Sequence, residues 1–335
     1  MKKKIRFKNL VVVFLLGAVA LFSFACSDSS PQEGSLEETT VILDWTPNTN
    51  HTGLYVALEK GYYEEEGLDV EIIPPSEGSS TTLIATGQGD FGVTYQEDVT
   101  YALTSEDPLP VTAIAAIIQE NTSGFASRKS AGIESVSDFE GKAYGGWGSP
   151  SEEAVLKAVM SEAGADYQNV ENVNIGSDDF FAATEGAIDF VWIFEGWTGV
   201  EARLRGVDLN YLPVKDLHES LNYYTPVLIT NEPILEEDPE KIEKFLRATQ
   251  KGYQFCIENP EEAAQVLLAA VPELEEELVV ESQKFLAEEY SKGVDRWGVM
   301  EEKRWADYAN FLLENDLIDK ELEIDRAFTN EFLPK

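Results

Sequence analysis

Nine residues of this chain have the type and placement to hold a flat, polar ligand: Trp45, Asn48, His51, Tyr95, Gln96, Trp147, Glu195, Tyr223 and Tyr224. Trp45 closes the apolar run 41–45 and opens a polar loop, 46–53, that carries Pro47, two asparagines and one of only two histidines. An indole there can stack on a heterocycle for about 0.5–1.5 kcal/mol beyond its buried area. Asn48 and His51 add hydrogen-bonding groups to the same loop. Tyr95 and Gln96 follow a second apolar run, 91–94. Trp147 stands in the glycine-rich loop Gly145-Gly146-Trp147-Gly148-Ser149. Such a loop before a helix can bind anions, but its spacing matches no phosphate fingerprint.

Glu195 is the sharpest of the nine. It follows the apolar run 190–194, and Gly196 leaves room beside it. A carboxylate buried there without a partner is costly. A ligand with two adjacent donors offers it a charge-assisted bidentate match. The plainer alternative is a salt bridge to Arg203 or Arg205. Tyr223 and Tyr224 offer one ring to complete an aromatic sandwich. Three of the others have a plain reading too: Trp45 as a core residue, His51 as a satisfied structural histidine or helix cap, Trp147 as turn packing. No metal site is expected, because two histidines and two distant cysteines do not make ligand spacing. No cofactor is expected either, and no nucleophile–base motif stands out.

These positions mostly lie just past an apolar run that reads as a strand, where open α/β sheets bind ligands. The first unit reads as strand 41–45, loop, helix 54–63, a C-cap at Gly67 and strand 69–73. A short helix to Ala85, the turn Gly87-Gln88-Gly89-Asp90, strand 91–95 and a helix from Gln96 follow. The run 111–119 is almost wholly apolar, as in a strand buried on both faces. After an interruption at 127–132 a second α/β pattern begins. Ser149-Pro150-Ser151-Glu152 reads as a capping box with proline in the first turn, opening a helix to about 163. From 238 onward the chain reads as mostly helical, with no internal repeat. The fold class is α/β with two lobes. One lobe spans 40–126 plus 226–335 and the other 127–225, and the chain crosses a hinge twice, near Ala126–Lys129 and near Tyr223–Val227.

The N-terminus differs in kind. Lys2, Lys3, Lys4, Arg6 and Lys8 precede an apolar run, 10–25, too short to span a membrane comfortably. The pattern is that of a secretory signal over residues 1–25. Cys26 follows at once, so 26–39 reads as a lipid-anchored tether, although Ser23 stands where lipoprotein signals usually carry leucine. The expected location is the outer face of the cell membrane or the periplasm, with the lipid as the sole membrane contact. Removing Cys26 leaves Cys256 alone, a thiol expected inside a helix. Net charge is −37 overall; the leader holds five basic and no acidic residues, so the remainder carries 20 basic against 62 acidic side chains. That surface repels nucleic acid and anionic membrane. It reads as adaptation to a salty or alkaline exterior.

The segments LDWTPNTNHTGLYVALEKGYY, GLDVEI, IATGQGDFGV, VSDFEGKAYG and NPEEAA together resemble the solute-binding proteins of ABC importers, and among them the branch related to the thiamin pyrimidine synthases. The resemblance covers about 40–334, and LDW-x-PN-x-x-H is its most specific piece. It implies a periplasmic-binding-protein-like fold of type II, with two lobes closing over a small heterocycle. It also implies a monomer that delivers its ligand to a permease and an ATPase. The implied ligand is a thiamin pyrimidine precursor of formylaminopyrimidine or hydroxymethylpyrimidine type; riboflavin or a small sulfonate are the alternatives. The eukaryotic synthases of this group carry a pyridoxal phosphate lysine and a consumed histidine where this chain has Thr94 and Asp98. They also carry an iron-binding cysteine cluster where it reads Leu221-Asn222-Tyr223-Tyr224-Thr225-Pro226. The departures imply a binder and not an enzyme.

Overall fold

The computed structural model describes residues 36–75, 78–176 and 179–335. The signal, Cys26 and most of the expected tether lie outside the described residues.

Among the described residues ten strands form two five-stranded sheets. The first contains β1 (Glu37–Ile42), β2 (Leu68–Ile73), β3 (Phe91–Thr94), β4 (Val111–Ala116) and β10 (Val227–Asn231), in the order β2-β1-β3-β10-β4. The second contains β5 (Ser123–Arg128), β6 (Ala143–Gly146), β7 (Glu171–Asn174), β8 (Phe190–Phe194) and β9 (Leu209–Pro213), in the order β7-β6-β8-β5-β9. Four strands of each sheet run in one direction. One strand then inserts antiparallel to both its neighbours: β10 between β3 and β4, and β5 between β8 and β9. The two lobes therefore share one topology, and the inserted strand in each is the one that arrives across the hinge. β4 is buried at all six positions, as its apolar run demands.

Two expectations move. β1 begins at Glu37, so the polar run Glu37–Thr40 belongs to the sheet and not to the tether. Threonine suits a pleated, half-buried surface, and Thr39 is buried. The first crossing lies at 117–122, between β4 and β5, and not near Ala126–Lys129. The polar break Gln119-Glu120-Asn121-Thr122 marks it; the basic pair Arg128-Lys129 only ends β5. The second crossing lies at 222–226.

Each lobe has its own aromatic core. Phe91 stacks on Phe245 with ring centroids 3.9 Å apart, and Phe139 stacks on Phe190 at 4.1 Å. The helix Thr52–Glu59, which follows the Trp45 loop, packs on the helix Pro239–Glu258 at glycines. A Cβ on Gly252 would sit 2.0 Å from the Gly53 carbonyl oxygen. Cys256 is buried on the same long helix, and burial pushes its thiol well up. The helix Glu302–Glu314 adds a contact absent from the sequence reading. Its Trp305 lies in a first-lobe core, while Tyr308, Phe311 and Leu312 lie in the second-lobe core.

Candidate functional site

Between the sheets lie two adjoining chambers, of roughly 290 Å³ and 230 Å³, that share Phe194 and Thr225 in their walls. We call them chamber one and chamber two. Large apolar side chains are exposed here: Trp45 is 59% exposed, Trp147 49% and Phe194 41%. Clustered exposed aromatics mark a binding surface. Chamber one is bounded by the loop 45–50, by Ile118 and Thr122 of the first crossing, by Gly196–Thr198, and by Leu274 and Leu286. Chamber two is bounded by Tyr95, Glu97 and Asp98 from the first lobe. Trp147, Trp192 and Phe194 bound it from the second, and Tyr223 from the second crossing. Among the described residues no lysine or arginine lines either chamber.

The first lobe builds its wall from hydrogen bonds. The backbone N–H of Asn48 donates to His51 Nδ1 at 3.1 Å, so that nitrogen is unprotonated and the proton sits on Nε2. Nε2 donates to Asp44 Oδ1 at 2.6 Å, and Tyr95 Oη donates to Asp44 Oδ2, also at 2.6 Å. Burial opposes the Asp44 charge, but His51 and Tyr95 outweigh it and hold the carboxyl below the usual carboxylate range. Burial and Asp44 together push the Tyr95 phenol up. The relay fixes the Tyr95 ring at the edge of chamber two.

Glu97 and Asp98 stand in the first turn of the helix Gln96–Thr104. Burial raises the Glu97 carboxyl, with hydrogen bonds from Ser151 and Tyr308 opposing it and the neighbouring acids Asp98 and Glu152 adding to it. Tyr308 Oη donates to Glu97 Oε2 at 2.9 Å. Asp98 is raised for the same first reason; the Thr94 hydroxyl, 3.1 Å away, opposes and Asp44 adds. Both acids therefore take up a proton more readily than ordinary carboxyls. A protonated carboxyl can donate to a ring nitrogen and accept from an adjacent amine.

The second lobe supplies rings. Glu152 is buried and accepts from Tyr144 Oη (2.6 Å) and from the backbone N–H groups of Trp147, Gly148 and Ser149. That capping box folds the glycine-rich loop and sets Trp147 at the rim, its centroid 5.7 Å from Trp192. Tyr223 faces the same chamber and stacks on Tyr308 at 4.2 Å.

Several sequence candidates do not meet at the site. Glu195 sits outside both chambers, in a groove with Arg203, and pairs with it at 3.4 Å. β8 ends at Phe194, which takes the cleft side, and Glu195 opens the π-helical turn Glu195–Gly199 away from both chambers. Tyr224 faces away from the cleft. It is buried in the first lobe, with Arg304 over its ring at 4.5 Å and its hydroxyl accepting from Glu301 N–H. Gln96 is fully buried and bonds Tyr224 N–H and the Arg304 carbonyl. His51 is fully buried with both nitrogens engaged, so it positions other groups and does not reach a ligand. Asn48 lines chamber one, but its amide bonds Asn50 N–H and the Thr46 carbonyl. Trp45 lines chamber one, apart from Trp147 and Tyr223 in chamber two. Glu97, Asp98 and Trp192 were not singled out as ligand contacts from sequence. Among the described residues no group of three or more His, Cys, Asp or Glu side chains is placed to hold a metal ion.

A family model described as NMT1/THI5 like matches residues 48–263. The formylaminopyrimidine-binding protein of Halalkalibacterium halodurans is 30% identical over 96% of this chain and 99% of its own. The 4-amino-5-hydroxymethyl-2-methylpyrimidine phosphate synthase of Legionella pneumophila is 28% identical over 88% of this chain and 92% of its own. Among solved structures, the periplasmic aliphatic sulphonate binding protein SsuA from Escherichia coli superposes with a TM-score of 0.67 at 15% identity. It covers 87% of this chain and 91% of its own. At that identity the likeness establishes the shared two-lobed fold alone.

Proposed function

For a chain that belongs to the NMT1/THI5-like family, we propose the role of a solute-binding protein that captures a thiamin pyrimidine precursor of formylaminopyrimidine type for an ABC importer. Chamber two carries the proposal. It sets two carboxyls with raised proton affinity, Glu97 and Asp98, among the rings of Trp147, Trp192 and Tyr223. An aminopyrimidine presents an amine and an adjacent ring nitrogen along one edge. A carboxyl that shares one proton with the ring nitrogen and accepts from the amine matches that edge in two charge-assisted hydrogen bonds. The rings hold its faces.

The wall chemistry disfavours the alternatives. A sulfonate needs cations, and among the described residues none lines either chamber. Synthase chemistry of the eukaryotic type needs a lysine where Thr94 stands, and Thr94 is buried against Thr81 and Asp98. The protein is taken to be a non-enzymatic, extracytoplasmic monomer, anchored through lipid on Cys26 and partnered by a permease and an ATPase. Ligand binding closes the lobes about 117–122 and 222–226, because the bound molecule touches both walls only when they meet.

Calorimetric titration with formylaminopyrimidine, hydroxymethylpyrimidine, riboflavin and an alkanesulfonate tests this. The pyrimidines are expected to bind at least tenfold more tightly than the others, with compaction in solution scattering. Preference for the sulfonate or riboflavin would remove the reading.

A further inference from the structure

We propose that chamber one is a second subsite, which takes a flat heteroaromatic group carried on the aminopyrimidine held in chamber two. The full ligand would then be an unphosphorylated two-ring compound. This rests on the pyrimidine reading of chamber two.

Continuity is the first ground. Phe194 and Thr225 line both chambers, so one molecule can pass from one to the other. Size is the second. Chamber one, at roughly 290 Å³, is larger than chamber two, at roughly 230 Å³. Small-molecule sites bury most of their ligand against mostly apolar walls. A one-ring precursor seated on Glu97 and Asp98 leaves the larger chamber unfilled.

Chemistry is the third ground. Trp45 and Trp197 offer ring faces, Ile118, Leu274 and Leu286 an apolar floor, and the remaining lining side chains are neutral. Among the described residues no ionisable side chain lines chamber one. A flat neutral ring or a delocalised cation suits indole faces. A phosphate or carboxylate finds no counter-charge there.

The floor is also built in advance. The Ser282 hydroxyl donates to the Gly196 carbonyl and sits 2.6 Å from Thr49 Oγ1, so one side chain joins the loops of both lobes. Gly196 lies so close to the helix Glu276–Glu289 that a Cβ would come 3.0 Å from Leu286 Cδ2 and 3.2 Å from the Phe285 ring. Trp197 packs on the apolar cluster of Ala264, Leu267, Val271 and Val279. Chamber one is thus a shaped recess beside the site.

The test uses calorimetry on the full chain with three probes: hydroxymethylpyrimidine as the one-ring ligand, thiamin as the two-ring ligand and thiamin diphosphate as its charged counterpart. Thiamin is expected to bind at least tenfold more tightly than hydroxymethylpyrimidine, and thiamin diphosphate more weakly than thiamin. Trp45→Ala removes an exposed ring that lines chamber one alone, so its fold is safe. It should abolish most of the two-ring advantage and leave hydroxymethylpyrimidine within twofold. Equal affinities for one and two rings, an advantage that survives Trp45→Ala, or two pyrimidines bound per chain would each overturn the subsite. Absence of binding by every pyrimidine would instead overturn the reading of chamber two beneath it.

Discussion

The two lobes share one topology but do different chemistry at equivalent strand ends. After β1 and β3 the first lobe places Asp44, Tyr95, Glu97 and Asp98, tied by short hydrogen bonds through His51, Thr94 and Tyr308. After β6 and along β8 the second lobe places Trp147, Trp192 and Phe194. Both carboxyls of chamber two come from the first lobe, and its indoles come from the second. Hydrogen bonds are directional and discriminate; stacking is tolerant of ring substituents. The contrast teaches that one scaffold can divide recognition, with one lobe reading an edge and the other covering a face.

The division can be broken by substitution. The largest effect is expected at the edge. Asp98→Asn should weaken aminopyrimidines by about 1.5–3 kcal/mol, tenfold to more than a hundredfold, and a pyrimidine without the amine far less. Calorimetry with both ligands measures it, and equal losses would deny Asp98 the edge. The same variant carries a pH signature. A raised carboxyl contributes stability that is present below its ordinary range and lost as pH rises through the raised value, so at neutral pH the charged Asp98 opposes folding. Asp98→Asn should therefore raise the melting temperature at pH 7, and the gain should disappear below about pH 4.

Next comes the relay behind the edge. His51→Gln keeps a donor but loses the ring that accepts from Asn48 N–H and reaches Asp44, and should cost about 1–3 kcal/mol of stability by thermal unfolding. Unchanged stability would mean that Asp44 needs no buried partner. Trp147→Ala follows, with an affinity loss of about 0.5–1.5 kcal/mol that is the same for amino and non-amino rings. A loss confined to the amine would merge the roles of the two lobes. The smallest effect is assigned to Glu195→Gln, whose partly exposed pair with Arg203 should be worth under about 1 kcal/mol, leaving affinity within twofold. A tenfold loss there would return Glu195 to the edge and displace Asp98.

Much of this was legible in sequence, and the exceptions have physical causes. Apolar runs bounded by turn residues located the strands, and ligands gather at strand ends, so Trp45, Tyr95, Trp147 and Tyr223 all reach the cleft. Strand ends do not reveal which side each residue faces. That depends on register, and a step of one residue separates Phe194 from Glu195 and Tyr223 from Tyr224. Trp192 was hidden because it lies within an apolar strand, where only the packed sheet shows which face borders a cavity. Asp98 was hidden for another reason. An acid in a first helical turn is explained by the helix dipole alone, and its tertiary neighbours Thr94 and Asp44 raise no local signal. The early crossing was missed because Arg128-Lys129 is a more conspicuous break than Gln119–Thr122.

The helix Glu302–Glu314 has a mechanical meaning. Two strand crossings alone would act as an axle, about which one lobe can swing freely. This helix is a stiff bar of about 20 Å, with Trp305 sunk in one lobe and Tyr308, Phe311 and Leu312 in the other. It fastens the lobes at a third place, beside both crossings: Arg304 donates to the Gln119 carbonyl of the first, and Tyr308 stacks on Tyr223 of the second. The bar also reaches the candidate site, because Tyr308 donates to Glu97 as well, so the piece that spans the lobes and the wall of chamber two share one side chain.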